Sequence, residues 1–427
     1  MVRFRFHAIV IGVVTLSMFT SGLRAADDVL LWPQFRGATG QGVGIAKGLP
    51  ANWSENENIV WRTELPGAGT SSPIIVGSNI ILTCYTGYNV PGAGRGSQDD
   101  LKLHLLCIER DTGKVQWTVD IAPKLPEQDR IRDDHGYASS TPACDGERLY
   151  CFFGKTGVIA FDLKGKELWR AVVGDRLHGW GSGNSPVVHN DLVYSNASVE
   201  SDSLVALDKK SGREKWRARG IRESWNSPIF VKNPEGKIEL VIAVFGKILG
   251  FDPHSGEQLW SCATDIGWYM VPSLVAADGV VYAIGGRTGG ALAVRTGGSG
   301  DVTRSHRVWT GKKGSNVSSP ILHEGHLYWM HEGLGIAFCA EAKTGRVVYE
   351  ERIPGADQVY ASPVLADGKL FYVSRTGRGI VIEAKPEFSL LSTNRLGQRT
   401  TFNASPAVAG NRLFIRSDKH LYCIGAK

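Results

Sequence analysis

The sequence predicts an all-β fold: an eight-bladed β-propeller of four-stranded antiparallel blades, the last blade closed by an N-terminal strand. Three observations predict it. A Ser/Thr-Pro step opens an apolar run at Ser72-Pro73, Thr141-Pro142, Ser185-Pro186, Ser227-Pro228, Ser319-Pro320, Ser362-Pro363 and Ser405-Pro406, with Val271-Pro272-Ser273 as a permuted copy. The prolines are spaced 69, 44, 42, 44, 48, 43 and 43 residues apart, so seven gaps separate eight copies. Within each period, two turns and a closing Trp recur in fixed order. Four strands in about 43 residues is the length of one propeller blade.

Residues 1–25 read as a signal peptide. Arg3 and Arg5 give a basic start, Ala8 to Phe19 is mostly apolar, and Leu23-Arg24-Ala25 precedes Ala26. The apolar run is too short for a spanning helix, and no Cys follows it to carry a lipid. The expected location is therefore periplasmic or extracellular, with no transmembrane segment after cleavage. Residues 26–57 form a leader segment, and residues 58–427 form the propeller. The chain of 427 residues has a net charge of +6. Loss of Arg3, Arg5 and Arg24 lowers that by three, which argues against nucleic acid as a partner.

Each period has the same anatomy. A short apolar strand follows the Pro and ends at a tight turn: Asp145-Gly146, Asn190-Asp191, Asp278-Gly279, Glu324-Gly325, Asp367-Gly368 or Gly410-Asn411. Asp-Gly between apolar runs signals a two-residue hairpin. After the second strand, a third ends on an acid, and a Gly turn leads to a fourth strand holding Trp. Phe161 to Trp169 is the clearest copy; Glu109 to Trp117, Leu207 to Trp216 and Phe251 to Trp260 are close to it. The copy near Glu383 has lost both Gly and Trp. The last period stops after three strands, whereas Asn58 to Arg62 has no hairpin before it. These two incomplete pieces should pair and close the ring. The Trp residues are assigned to packing between blades.

The seven Cys are scattered and odd in number, which suits buried small hydrophobes better than a disulfide framework. A Cys84–Cys107 bridge between neighbouring strands is the one pairing the export compartment makes reasonable. His323-Glu324-Gly325-His326 occupies a hairpin position, and its spacing fails the helical zinc pattern, so no metal is assigned. Gly154-Lys155-Thr156 lacks the earlier Gly of a phosphate loop.

The chain spends its extra residues on one face. Thr86 to Leu101 lies between two strands of blade one, and Ala122 to Tyr137 leads into blade two. Long loops on a rigid frame commonly carry binding. On the same face, just ahead of each Ser/Thr-Pro, stand the ligand-binding candidates: His135, Tyr137, Trp180, Asn184, Trp225, Asn226, Trp268, Tyr269, Asn316, Tyr360 and Asn403. Aromatic rings and amides converging on a central funnel suit a flat ring, a sugar or a peptide side chain. No catalytic residue is assigned.

The acid-x-x-Thr/Ser-Gly-Lys-x-x-Trp copies, with the opening Trp32-Pro33-Gln34-Phe35-Arg36-Gly37, resemble the PQQ-like (quinoprotein-type) β-propeller repeat family over residues 32–427. That family includes PQQ-dependent alcohol dehydrogenases and cofactor-free relatives such as the propeller lipoprotein of the outer-membrane barrel assembly machinery. The resemblance to the enzymes implies PQQ and calcium as cofactors, held beside an adjacent Cys pair and a set of Glu, Asn and Asp. This chain has no adjacent Cys pair. The expectation is a non-catalytic binding or scaffolding propeller, with a protein or carbohydrate ligand on the loop-rich face. The alternative is a PQQ-dependent oxidoreductase of alcohols or sugars.

Overall fold

The computed structural model describes residue 1 and residues 30–129, 131, 135–287, 289–397 and 400–426. The signal-peptide assignment therefore lies outside the described residues. Eight antiparallel sheets follow one another around an axis, each entered at its innermost strand. In blade three the strands are Val187–His189, Leu192–Ala197, Ser203–Asp208 and Glu214–Arg219, in spatial order. The innermost strands are short, and the second and third are buried almost throughout. Buried strands on both faces are what adjacent blades impose on one another.

Blade eight closes as expected. Ile59–Glu64 pairs antiparallel with His420–Ile424, from Ile59 opposite Ile424 to Glu64 opposite His420. The hairpin turns behave as their residues demand. Asp278-Gly279, Glu324-Gly325 and Asp367-Gly368 all have positive φ at both positions, the twist a two-residue hairpin needs.

The closing Trp of one blade lies on the Gly turn of the next. A Cβ added to Gly212 would meet the Trp169 ring at 2.5 Å, and one on Gly256 would meet Trp216 at 2.4 Å. Four of these indoles also donate to a carbonyl in that next blade, whereas Trp260 donates to Glu239 Oε2 in its own blade at 2.7 Å. Trp61 reaches Arg110 at 2.9 Å, Trp169 reaches Lys209 at 3.1 Å and Trp309 reaches Ala342 at 2.8 Å. Gly is required twice over here, by its positive φ and by the ring against it. Blade seven, which lacks this pair, is repaired by the leader. Trp53 is buried over Gly379 with its ring 6.3 Å from Phe371, and its backbone N–H donates to Asn394 Oδ1 at 2.9 Å.

Two blades gain a fifth strand. Gly300–Asp301 runs parallel along the outer strand of blade four. Leu30–Trp32 pairs with Ile74–Val76 at the axis side of blade one. From there the leader crosses the ring. Pro33 accepts from Cys144 N–H, Gln41 Oε1 from Ala276 N–H, and Arg36 Nη2 reaches Pro320 O. Gly42 and Gly44 then bond Leu365 of blade seven on both sides. Arg36 is fully buried without a carboxylate, and burial lowers its pKa to about 9.

All seven thiols are free and buried. The Cys84–Cys107 bridge is corrected: Cys84 stands opposite His104 and Cys107 opposite Ile81. The two side chains belong to different core clusters, on opposite faces of the same blade. Strand alternation sends an odd offset to opposite sides. His323 and His326 flank a two-residue hairpin turn as expected.

Candidate functional site

The site begins with the Ser/Thr of each opening step. Ser72 N–H donates to Thr141 Oγ1, Thr141 N–H to Ser185 Oγ, and Ser185 N–H to Ser227 Oγ, at 2.8–3.0 Å. Ser227 N–H continues to Ser273 at 3.3 Å, then Ser273 to Ser319 and Ser319 to Ser362 at 3.0 Å. Ser362 N–H reaches Ser405 at 2.9 Å, and Ser405 N–H returns to Ser72 Oγ at 3.0 Å. Eight amides and eight hydroxyls thus form a closed girdle, all bonds running in one sense. This explains the permuted copy: Ser273 keeps its place in the girdle, and Leu274 stands where Pro follows elsewhere.

The girdle lines a funnel of about 450 Å3 that opens on the loop-rich face. Residues two positions before each girdle hydroxyl form a second ring above it. They are Thr70, Ser139, Gly183, Trp225, Val271, Val317, Tyr360 and Asn403, and all eight line the funnel. Extended backbone points residues i and i−2 the same way, which is why both rings face the axis. His135, Trp180, Tyr269, Asn316, Arg287, Glu332 and Gln358 complete the wall, and Phe35 of the leader lies at the floor.

Of the eleven sequence candidates, His135, Trp180, Trp225, Tyr269, Asn316, Tyr360 and Asn403 meet in this funnel. The aromatic residues form one wall. Trp180 and Tyr269 rings are 5.1 Å apart, Trp225 and Tyr269 5.7 Å, and Trp225 is pinned by donation to Gly181 O at 2.8 Å. His135 Nδ1 lies 2.7 Å from Ser139 Oγ, which also meets Thr70 Oγ1 at 3.0 Å. Glu332 Oε2 accepts from Asn316 N–H at 2.9 Å and faces Ser315 Oγ at 3.2 Å. The structure places the other four elsewhere. Asn226 is buried in its blade, donating to Ala243 O at 2.7 Å and Met270 O at 3.2 Å. Asn184 is buried one residue before the girdle. Trp268 borders a separate groove beneath Arg287, 4.8 Å from its ring.

Tyr137 belongs to the seam between the two insertions. Its hydroxyl donates to Gln128 O at 2.7 Å and accepts from Asn89 Nδ2 at 3.3 Å; its ring is 5.3 Å from Tyr85. Gln98 and Glu127 exchange two amide bonds across the same seam, at 3.0 and 3.1 Å, and Arg95 pairs with Asp129. The Gly154–Thr156 turn anchors the second insertion: Lys155 Nζ bonds Pro126 O, and Thr156 Oγ1 accepts from Lys124 N–H at 3.0 Å. Beneath it, Glu200 is buried and bonded to Ser182 Oγ. Burial raises the carboxyls of Glu200 and Glu127 to about 7 each. Ser182 opposes this at Glu200, while the charge of Glu127 adds to it.

Sequence reasoning missed Arg287, Glu332, Gln358 and Phe35 as wall and floor. It read the Ser/Thr series as a repeat marker, although the same series signals eight inward hydroxyls. Among the described residues no group of three His, Cys, Asp or Glu could hold a metal ion, and no helix is long and apolar enough to cross a membrane.

Comparison with known proteins agrees with this architecture. Residues 102–351 match the family model described as outer membrane protein assembly factor BamB. Tetrathionate hydrolase of Acidithiobacillus ferrooxidans is 26% identical over 210 residues, 48% of this chain and 35% of that protein. The chain thus matches about a third of the length of that relative. Quinohemoprotein alcohol dehydrogenase from Comamonas testosteroni superposes with a TM-score of 0.66 at 13% identity, over 93% of this chain and 81% of that one. BamB from Moraxella catarrhalis gives 0.59 at 14% identity, over 86% and 98%. A europium-containing methanol dehydrogenase gives 0.66 at 11%, over 94% and 98%. At such identities these structures share the fold alone.

Proposed function

The chain belongs to the family described as outer membrane protein assembly factor BamB, a PQQ-like propeller, and on that premise we propose that it is an exported, non-catalytic binding propeller whose funnel takes a carbohydrate. The observation that carries this is the pairing of an aromatic wall with rings of small polar groups. Trp180, Trp225, Tyr269 and Tyr360 offer apolar faces, and Thr70, Ser139, Asn316 and Asn403 offer hydrogen bonds. A sugar ring has the same two surfaces: C–H faces that stack on aromatics, and equatorial hydroxyls that bond sideways. The volume falls within the range of small-molecule sites.

The funnel does not fit a calcium-held quinone. Calcium takes six to eight oxygen ligands, with carboxylates among them. The wall supplies one carboxylate, Glu332, already engaged by Asn316 and Ser315. No adjacent Cys pair exists to pack on a quinone, and every thiol is buried. These residues support the cofactor-free reading over the PQQ-dependent oxidoreductase.

A glycan array, followed by calorimetry on the hits, tests the proposal. Binding by the wild type that falls at least tenfold in Trp180→Ala, with an unchanged melting temperature, is expected. Micromolar binding of PQQ with calcium, coupled to dye reduction over an alcohol panel, would replace this reading with the enzymatic one.

A further inference from the structure

A second recess opens on the loop-rich face beside the funnel, between blades seven and eight, with a volume of about 890 Å3. Arg375, Arg378, Arg395 and Lys419 line it. Its two acids are each tied down by hydroxyls. Thr376 Oγ1 donates to Asp357 Oδ2, and Asp418 Oδ1 accepts from Thr400 Oγ1 and from Thr401 N–H at 3.0 Å. Among the described residues of the lining, four cations therefore face two carboxylates. Among the described residues Arg378, Arg395 and Lys419 form no ion pair, and Arg395 and Lys419 are exposed.

The recess adjoins the funnel. Gln358 lines both. Its Oε1 accepts from Arg375 Nη1 at 3.0 Å, and its carbonyl accepts from Arg375 N–H at 2.7 Å. The same guanidinium lies 4.5 Å from the ring of Tyr360, which is a funnel wall. The far lip is Pro91 and Gly92, from the first insertion. The second insertion supplies His135 to the funnel, and the two insertions are bonded to each other. One long addition to the repeat thus borders the funnel and the other borders the adjoining recess.

We propose that this recess binds the anionic group of the ligand whose ring occupies the funnel, so that the ligand is an acidic sugar bearing a carboxylate or sulfate ester. The proposal rests on the carbohydrate reading of the funnel. Clustered cations with low-dielectric walls concentrate anions, and a guanidinium fork matches both oxyanions. Free sugar hydroxyls alone would leave Arg378, Arg395 and Lys419 without a role in recognition.

Calorimetry with uronic-acid tetrasaccharide, its methyl ester, a sulfated tetrasaccharide and its desulfated form tests this on the full mature chain. Wild type should bind at least one acidic form tenfold or more tighter than its neutral counterpart, and added salt should narrow that gap. The double variant Arg378→Gln/Arg395→Gln should lose the preference while still binding the neutral form. Its melting curve should match the wild type, because both side chains sit at the surface of the recess. Equal affinity for acidic and neutral forms would overturn the recess as an anion site and leave the funnel reading standing. Acid binding that survives Trp180→Ala unchanged would overturn the link between recess and funnel. Failure of all four sugars would overturn both.

Discussion

Two rings of residues lie two positions apart at the centre of this propeller, one uniform in residue type and the other mixed. The lower ring is Ser or Thr at all eight positions, each hydroxyl accepting an amide from the blade before it. The upper ring holds Thr, Ser, Gly, Trp, Val, Val, Tyr and Asn. The backbone places both rings alike, so geometry cannot account for the contrast. The lower ring repeats because it holds blades to blades, and the upper one varies because no closed ring of bonds fixes its residue type.

The strongest way to break that contrast is to open the girdle. Deleting residues 58–63 removes the strand that completes blade eight. With it goes the Trp61 contact on blade one. The expected result is loss of the single cooperative melting transition by calorimetry; a wild-type transition would refute closure by this strand. A paired comparison sharpens the distinction at smaller amplitude. Ser362→Ala removes one girdle acceptor from a buried amide and should cost about 1–3 kcal/mol in urea unfolding. Sugar affinity should stay within about twofold. Trp225→Ala in the upper ring should do the reverse, weakening sugar binding by at least tenfold. If both variants lose the same property, the two rings do not divide stability from recognition.

The smallest effect concerns the acid beneath the second insertion. Burial raises Glu200 from an ordinary carboxyl to about 7 in the folded state. The folded chain therefore holds this proton after the unfolded chain has released it. The favourable contribution is complete below about pH 4.5 and is lost as pH rises through about 7. Glu200→Gln should flatten the fall in melting temperature between those limits. An unchanged slope would show that Glu200 ionises normally.

Blade number, closure and the loop-rich face were legible because each rests on local chemistry repeated many times. Proline spacing marked the blades, Asp-Gly marked the hairpins, and an unmatched strand at one end answered a missing one at the other. The funnel was legible in part. Trp225, Tyr360 and Asn403 stand two residues before a girdle hydroxyl and face the axis, whereas Asn184 and Asn226 stand one before and turn into their blades. The period of two would have separated them. Trp180 and Trp268 each stand five residues before the girdle, yet one enters the funnel and the other a groove. There the chain is no longer regularly extended, so sequence offset carries no direction. The course of the leader was illegible for a different reason. Its contacts join residues 33–47 to blades two, five, six, seven and eight, and no short-range pattern encodes pairings so distant.

The leader leaves Phe35 across the bottom of the central channel. A hollow axle with a stopper is a cup rather than a pipe. A strand threaded in from the mouth would meet the leader that runs between blades two, five, six and seven. On the carbohydrate reading, the number of chain ends in a sample, rather than its mass, should set how much protein it takes up.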